Sequence, residues 1–182
     1  MSLNTEIMIY LHNNLDNITL DLTGTSGNIF DNTLPSSPDI AVKVESSGGF
    51  PQDLRNVNLH NPSKQLLVRG TQDSRTGAKL AKGIIDTIGT LGDTRFAYTE
   101  TAWDSSTTYS PIDLVAHNSS VWVATEANTD ETPSEDSDYW VKLVSYKVIK
   151  CQAKQPEPVN VGEDDQGRYK YSTNFDLTVR SE

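Results

Sequence analysis

The chain has 182 residues, a formal net charge of −10 and a single cysteine. Its length suits one domain with a small insertion, and its acidity argues against wrapping a nucleic-acid duplex, which needs Lys and Arg to displace counterions. No apolar run approaches the roughly 20 residues of a membrane span and no secretory signal is visible, so we expect no membrane contact and assembly in a cytoplasm.

The N-terminal part of the chain predicts one helix followed by two strands. In residues 4–15, apolar side chains recur at helical spacing, and Asn4 or Thr5 is predicted to cap this helix. Residues 18–22 and 39–45 alternate apolar and polar side chains, which indicates two strands that each bury one face.

A second helix and four further strands complete the predicted pattern. Residues 76–91 carry an apolar stripe typical of an amphipathic helix, which Gly92 is predicted to end. Apolar runs and alternations predict strands at residues 65–70, 95–100, 145–153 and 167–179.

The order of these elements predicts an α+β fold, in which two helices pack on one mainly antiparallel sheet and a small all-β module is inserted. The main domain would be discontinuous, residues 1–100 and 146–182, with the insertion at residues 101–145. The insertion differs in composition, because it holds all three tryptophans and eight acidic residues against one lysine, a balance of −7. Its ends adjoin neighbouring strand candidates, so we expect it to fold autonomously.

Four segments of the main domain carry a resemblance to a known family. They are DIAVKVESSGGFP at 39–51, QLLVRG at 65–70, AKLAKGIIDTIGTL at 78–91 and VNVGEDDQGRYKYSTNFDLTV at 159–179. Together they resemble the minor capsid and tail-terminator proteins of siphophages. The resemblance implies a homo-hexameric ring in the virion neck, which ends tail-tube growth and contacts the tail tube protein and the head-tail connector. DNA is expected to pass through this ring without specific binding.

The insertion resembles the small chitin-binding type of carbohydrate-binding module. The matching residues are Ala102, Trp103, Tyr109, Asp113, Val115, Trp122, Ala124, Pro133, Trp140 and Leu143. Two positions depart from the family pattern, since Ile112 replaces a glycine and Thr125-Glu126-Ala127 replaces an exposed aromatic pair. Sugar-binding surfaces stack aromatic rings on pyranose faces, so we expect weak polysaccharide binding or none.

Aromatic side chains of the insertion are the candidate sugar contacts. A module of this size without a disulfide needs large rings in its core, so Trp103, Trp122 and Trp140 are predicted to be mainly buried. Tyr109 and Tyr139 are predicted to be more exposed. The candidate carbohydrate-binding residues are therefore Tyr109, Tyr139 and, among the tryptophans, Trp122.

Two polar loops are the candidate contacts between subunits. A cyclic ring needs a patch on one subunit that meets a different patch on the next. Phe50 and Pro51 lie in the loop at 48–51, where Phe50 is the one large apolar side chain. Arg168 closes the loop at 161–168, beside an acidic run that a neighbour could use.

No motif in the sequence supports catalysis or metal binding. His12, His60 and His117 are far apart and lack ligand spacing, and segment 163–167 lacks the alternating ligands of a calcium loop. No nucleophile and base can be paired, so we predict a protein that is not an enzyme and uses no cofactor. Two functions compete: a ring subunit of the tail, and a glycan-binding adhesion module on a virion structural base.

Overall fold

The structure, a computed structural model, describes residues 1–23, 26–50 and 58–181. Two helices are present in these ranges, α1 (Leu3–Asn14) and α2 (Ser74–Ile88). The strands are β1 (Ile29–Asp31), β2 (Ala41–Phe50), β3 (Leu59–Arg69), β4 (Thr94–Arg95), β5 (Thr108–Tyr109), β6 (Leu114–His117), β7 (Ser120–Ala124), β8 (Asn128–Thr129), β9 (Trp140–Lys142), β10 (Lys147–Ala153), β11 (Val159–Glu163) and β12 (Tyr169–Arg180). Within the described ranges, neither length nor apolarity would let any helix cross a membrane.

A curled sheet of seven strands organises the main domain. Six strands follow the order β1-β2-β3-β12-β10-β4, and β11 pairs with the first part of β12. β1 runs parallel to β2, whereas the other pairs are antiparallel. Strands make up 39% of the protein and helices 16%. The expected α+β fold with a mainly antiparallel sheet is therefore wrong: the fold is mostly β, and its sheet is mixed.

The main sheet contains more strands than the sequence predicted, because some of them have no recognisable apolar pattern. β1 has only three residues, too few to show alternation, and the chain loops back through residues 32–40 so that β2 runs in the same direction. β11 is exposed along its whole length, so no buried face marks it in the sequence. The insertion adds five more short strands, β5 to β9.

The predicted first helix is confirmed, but its cap is not. Ser2 precedes α1, and its hydroxyl oxygen accepts the backbone N–H of Thr5 at 3.3 Å. The prediction of Asn4 or Thr5 as the cap is wrong because both already lie in the helix. Asn4 instead turns inward and is buried.

The apolar stripe of α2 is confirmed in position and in role. Leu80, Ile84 and Ile88 are buried where the helix packs against β12 and β3. Asp73 is its N-cap, and the Asp73 side chain accepts the backbone N–H of Arg75. Gly89 is its C-cap, three residues before the predicted stop at Gly92. Sequence periodicity thus located the helix, whereas backbone hydrogen bonding set its end.

The strand predicted at residues 18–22 is wrong. Ile18 and Leu20 are buried in the main core, but neither lies in a strand. The alternation of apolar side chains in this segment reflects burial of an irregular loop.

The insertion leaves and re-enters the main sheet at paired positions. β4 precedes it and β10 follows it, with Thr94 opposite Val148 and Arg95 opposite Lys147. Its strands form two small sheets, β5-β8 and β6-β7-β9. The two chain crossings are therefore neighbours in one antiparallel ladder.

The insertion and the main domain share part of their core. Trp122 and Ala124 on β7 belong to a small aromatic cluster inside the insertion. Val123, between them, belongs to the main core together with Ile112 and Leu143. Autonomous folding of residues 101–145 stays a prediction, and this shared core argues against it.

Candidate functional site

Arg69, at the end of β3, fixes the loop that leads into β2. Its buried guanidinium donates hydrogen bonds to the backbone carbonyls of Pro35, Pro38 and Asp39, at 2.6 Å for Pro35 and 3.1 Å for Asp39. The loop has no regular structure, so these bonds supply the partners that its carbonyl groups need. Arg69 therefore has a structural role, because it attaches this loop to the main sheet.

Arg168 joins the acidic turn after β11 to the same loop. Its guanidinium donates to Asp164 Oδ2 at 2.7 Å, to Asp39 Oδ1 at 2.9 Å and to the Ser36 carbonyl at 2.8 Å. These bonds from Arg168 hold the pKa of the Asp164 carboxyl down, at about 2. Arg168 is only 5% exposed. Contact with a neighbouring subunit stays a prediction for Arg168, and its burial and its bonds within its own chain argue against it.

A close approach of two glycines completes this corner of the fold. A Cβ atom on Gly70 would stand 2.6 Å from the backbone nitrogen of Gly77, so the start of α2 can lie against the end of β3 only because both residues lack side chains. Tyr171 packs beside Gly77 and donates its hydroxyl to the Ser74 carbonyl at 2.8 Å. Gly70, Gly77 and Tyr171 thus hold the end of β3, the start of α2 and β12 together.

Two edge segments of the main sheet carry exposed apolar side chains. The first, here the β2 surface, is residues 46–50, which lie beyond the part of β2 that pairs with β1 and end at Phe50, 71% exposed. The second, the β11 surface, carries Val159 and Val161, 49% and 47% exposed. β11 lies on the opposite side of β12 from β3, so β3 and β12 separate the two surfaces in the strand order. Pro51, predicted beside Phe50, lies outside the described residues.

The aromatic cluster of the insertion is a closed core. Tyr109 and Trp140 stack edge to face, with ring centroids 5.1 Å apart. The indole N–H of Trp140 donates to the Glu131 carbonyl at 2.7 Å, and that of Trp122 donates to the His117 carbonyl at 3.2 Å. The predicted burial of Trp122 and Trp140 is confirmed.

Tyr109 was expected to be exposed, and that expectation is wrong. It is buried, and its hydroxyl accepts the backbone N–H of Asp104 at 2.7 Å. Tyr139 and Trp103 are half-buried at the edge of the cluster. Of the three candidate sugar contacts, only Tyr139 is therefore not buried.

Thr125, Glu126 and Ala127, which stand where the chitin-binding family has an exposed aromatic pair, line an open cleft of about 480 Å³. The insertion contributes Pro111 and residues 125–127, and the loop after α1 contributes Leu20, Asp21, Thr23 and Ser26. This lining contains no aromatic ring on which a pyranose could stack. The residues that replace the aromatic pair face the main domain across this cleft.

A buried carboxylate on α1 holds the point where the insertion returns. Glu6 accepts the backbone N–H groups of Ser145 and Tyr146, each at 2.8 Å. Burial raises the pKa of Glu6 above its ordinary value of 4.5, although these two N–H groups act in the opposite direction. Ser145 also donates its hydroxyl to the Ala97 carbonyl at 3.1 Å. The outgoing and returning chains are thus tied to each other and to α1.

The histidines lie in separate places. His12 Nδ1 contacts the Ile18 carbonyl at 3.0 Å, and the His117 ring packs edge to face against Trp103 at 5.4 Å between centroids. In residues 1–23, 26–50 and 58–181, no group of three or more His, Cys, Asp or Glu side chains is placed to hold a metal ion.

Comparison with protein-family models gives no match, and no curated protein matches the chain.

Proposed function

We propose that this chain is a structural subunit of a phage tail, which forms a hexameric ring at the neck, ends growth of the tail tube and meets the head-tail connector. The observation that carries this proposal is the placement of exposed apolar side chains at different edges of one sheet, Phe50 on β2 and Val159 and Val161 on β11. Four sequence segments resemble siphophage tail terminators. From this resemblance we infer that the ring is a tail terminator and that it lies in the neck of the virion.

A ring requires two unlike surfaces on each subunit. In a cyclic assembly of more than two copies, the surface that one subunit offers is bound by a different surface of the next. The β2 surface and the β11 surface meet this requirement, because they differ in their exposed apolar side chains and lie on different edges of the sheet. Phe50 is the natural anchor, since large apolar rings contribute most where an interface excludes water.

The insertion is proposed to lie outside the channel through which DNA passes. All eight of its acidic side chains are exposed. A surface with that charge repels the phosphate groups of DNA. Glu6 and the shared core fix the insertion to the main domain, so we treat it as a rigid external decoration of the ring. Adhesion to glycans remains the alternative function, and Tyr139 and Trp103 are the rings it could use.

The proposal is tested by light scattering after size-exclusion chromatography, with two variants mixed. Wild-type protein should form hexamers, and Phe50→Asp and Val161→Asp should each give folded monomers. A Phe50→Asp subunit keeps its β11 surface and a Val161→Asp subunit keeps its β2 surface. An equal mixture should therefore restore one contact and give heterodimers that cannot grow further.

The control is Ile149→Asp, which places the same charge at a partly exposed residue of β10 outside both surfaces. This variant should remain hexameric. A wild-type monomer at high protein concentration, or hexamers formed by both charged variants, contradicts the proposal. A mixture that stays monomeric would show that the two surfaces do not bind each other.

A further inference from the structure

A buried lysine and a buried asparagine meet between α1 and the main sheet. Lys64 on β3 and Asn4 in the first turn of α1 are each 5% exposed. Lys64 Nζ lies 2.6 Å from Asn4 Oδ1, and it also donates to the Ser46 hydroxyl at 2.8 Å. On its other side, Asn4 donates from Nδ2 to Asp31 Oδ1, again at 2.6 Å. An amine, a carboxamide and a carboxylate are therefore arranged in a row.

The amine of Lys64 contacts the carboxamide group that it would attack. Burial lowers its pKa, because the charged form loses its hydration, while the charge of Asp31 acts in the opposite direction. A lowered pKa increases the share of neutral amine, which is the form that can attack a carbonyl carbon. Both partners are held by the fold, so the reaction is unimolecular and needs no collision.

We propose that Lys64 and Asn4 form an intramolecular isopeptide bond. The Nζ lone pair attacks Cγ of Asn4, so the Nζ–Cγ bond forms and the Cγ–Nδ2 bond breaks. One proton of the neutral amine moves to Nδ2, which leaves as ammonia, and the product is a secondary amide. Asp31, hydrogen-bonded to Nδ2, relays this proton. No oxidant, metal or second substrate enters the balance.

The cross-link would join α1 covalently to the centre of the main sheet. Asn4 lies in the first turn of α1, and β3 lies between β2 and β12 in the sheet. The bond would keep α1 on the sheet under conditions that otherwise detach a helix from the sheet it packs on. Glu6, on the same helix, holds the returning end of the insertion, so the bond would secure that contact as well.

Intact-mass spectrometry of the purified, folded chain tests the proposal. The wild-type mass should fall short of the sequence mass by one ammonia, and a digest should contain the peptide with Asn4 linked to the peptide with Lys64. Lys64→Arg should keep its full mass. Asp31→Asn, at an exposed position, should fold normally and form the bond about a hundredfold more slowly, the lower range for loss of a general acid or base.

The linked peptide distinguishes this bond from ammonia loss at another asparagine, which would persist in Lys64→Arg. Circular dichroism of each variant shows whether it has folded. Folded wild-type protein that keeps its full mass after days of incubation overturns the proposal, and Asn4 and Ser46 are then only hydrogen-bond acceptors for a buried ammonium. Equal rates in wild type and Asp31→Asn would remove Asp31 from the reaction.

Discussion

Truncation of Trp140 should destabilise the insertion strongly. The side chain is 1% exposed, stacks edge to face on Tyr109 and donates to the Glu131 carbonyl. Replacement by alanine leaves a cavity and an unpaired carbonyl, and core Trp→Ala changes cost about 3 to 5 kcal/mol. Since whole domains are stable by roughly 5 to 15 kcal/mol, Trp140→Ala should remove a large part of the stability of any unit that includes it.

The loss should reach the main domain, because the two parts share a core. If the insertion unfolded alone, Val123, Ile112 and Leu143 would leave the main core and expose apolar surface on both sides. We therefore expect one cooperative transition in wild type and in Trp140→Ala. Its midpoint in urea should be lower in the variant, with a similar slope.

The distribution of chromophores makes this measurable. All three tryptophans lie in the insertion, so their fluorescence reports on that part alone. Both described helices lie in the main domain, so helical circular dichroism reports on that part. Coincident curves from the two probes support a shared core. If fluorescence is lost in Trp140→Ala while the helical signal keeps its wild-type midpoint, the insertion is a separate module and the reasoning is refuted. The control is Ile149→Ala, at an exposed residue outside both the β2 and the β11 surface.

Three further predictions follow from individual side chains. Because burial raises the pKa of Glu6, the ionised form opposes folding, so wild type should lose stability relative to Glu6→Gln as pH rises from 4.5 through the raised pKa; parallel curves in urea titrations at several pH values would contradict this. Arg168→Met should let the pKa of Asp164 rise from about 2 towards 3.8 in NMR titrations. The stability that this carboxylate contributes is present above its ordinary pKa and is lost as pH falls through about 2, so the variant should be less stable near neutral pH and approach wild type in acid. The full chain should not be retained on chitin, cellulose or host cell wall, and retention that disappears in Tyr139→Ala would instead favour glycan adhesion.

Elements that bury side chains at regular intervals could be predicted from the sequence. The stripe on α2 predicted a helix at the right place because one face of that helix packs on the sheet along its whole length. The same reasoning failed for β11, which has no buried face, and for residues 18–22, which are buried without being paired. The pattern of side chains reports contact with a core, and hydrogen-bond pairing is a separate property.

The candidate site residues show a second limit. Arg168 stands in a polar, turn-rich segment that suggests exposure, yet its partner Asp39 lies 129 residues away in sequence and removes it from the surface. Tyr109 was likewise misjudged, because its hydroxyl finds a backbone partner within the insertion. Asn4 and Lys64 gave no local signal at all, since 60 residues separate them. Contacts of this kind depend on the completed fold.

The pairing of β4 with β10 makes the site between them suitable for replacing the insertion by a different domain. The chain departs and returns across one antiparallel ladder, so segments of different length close the same gap, and each doubling of loop length costs only about 0.6 kcal/mol in closure entropy. Length is thus a weak constraint on what can be grafted here. A replacement must instead supply apolar side chains where Ile112, Val123 and Leu143 now fill the main core, and backbone N–H groups to meet the carboxylate of Glu6.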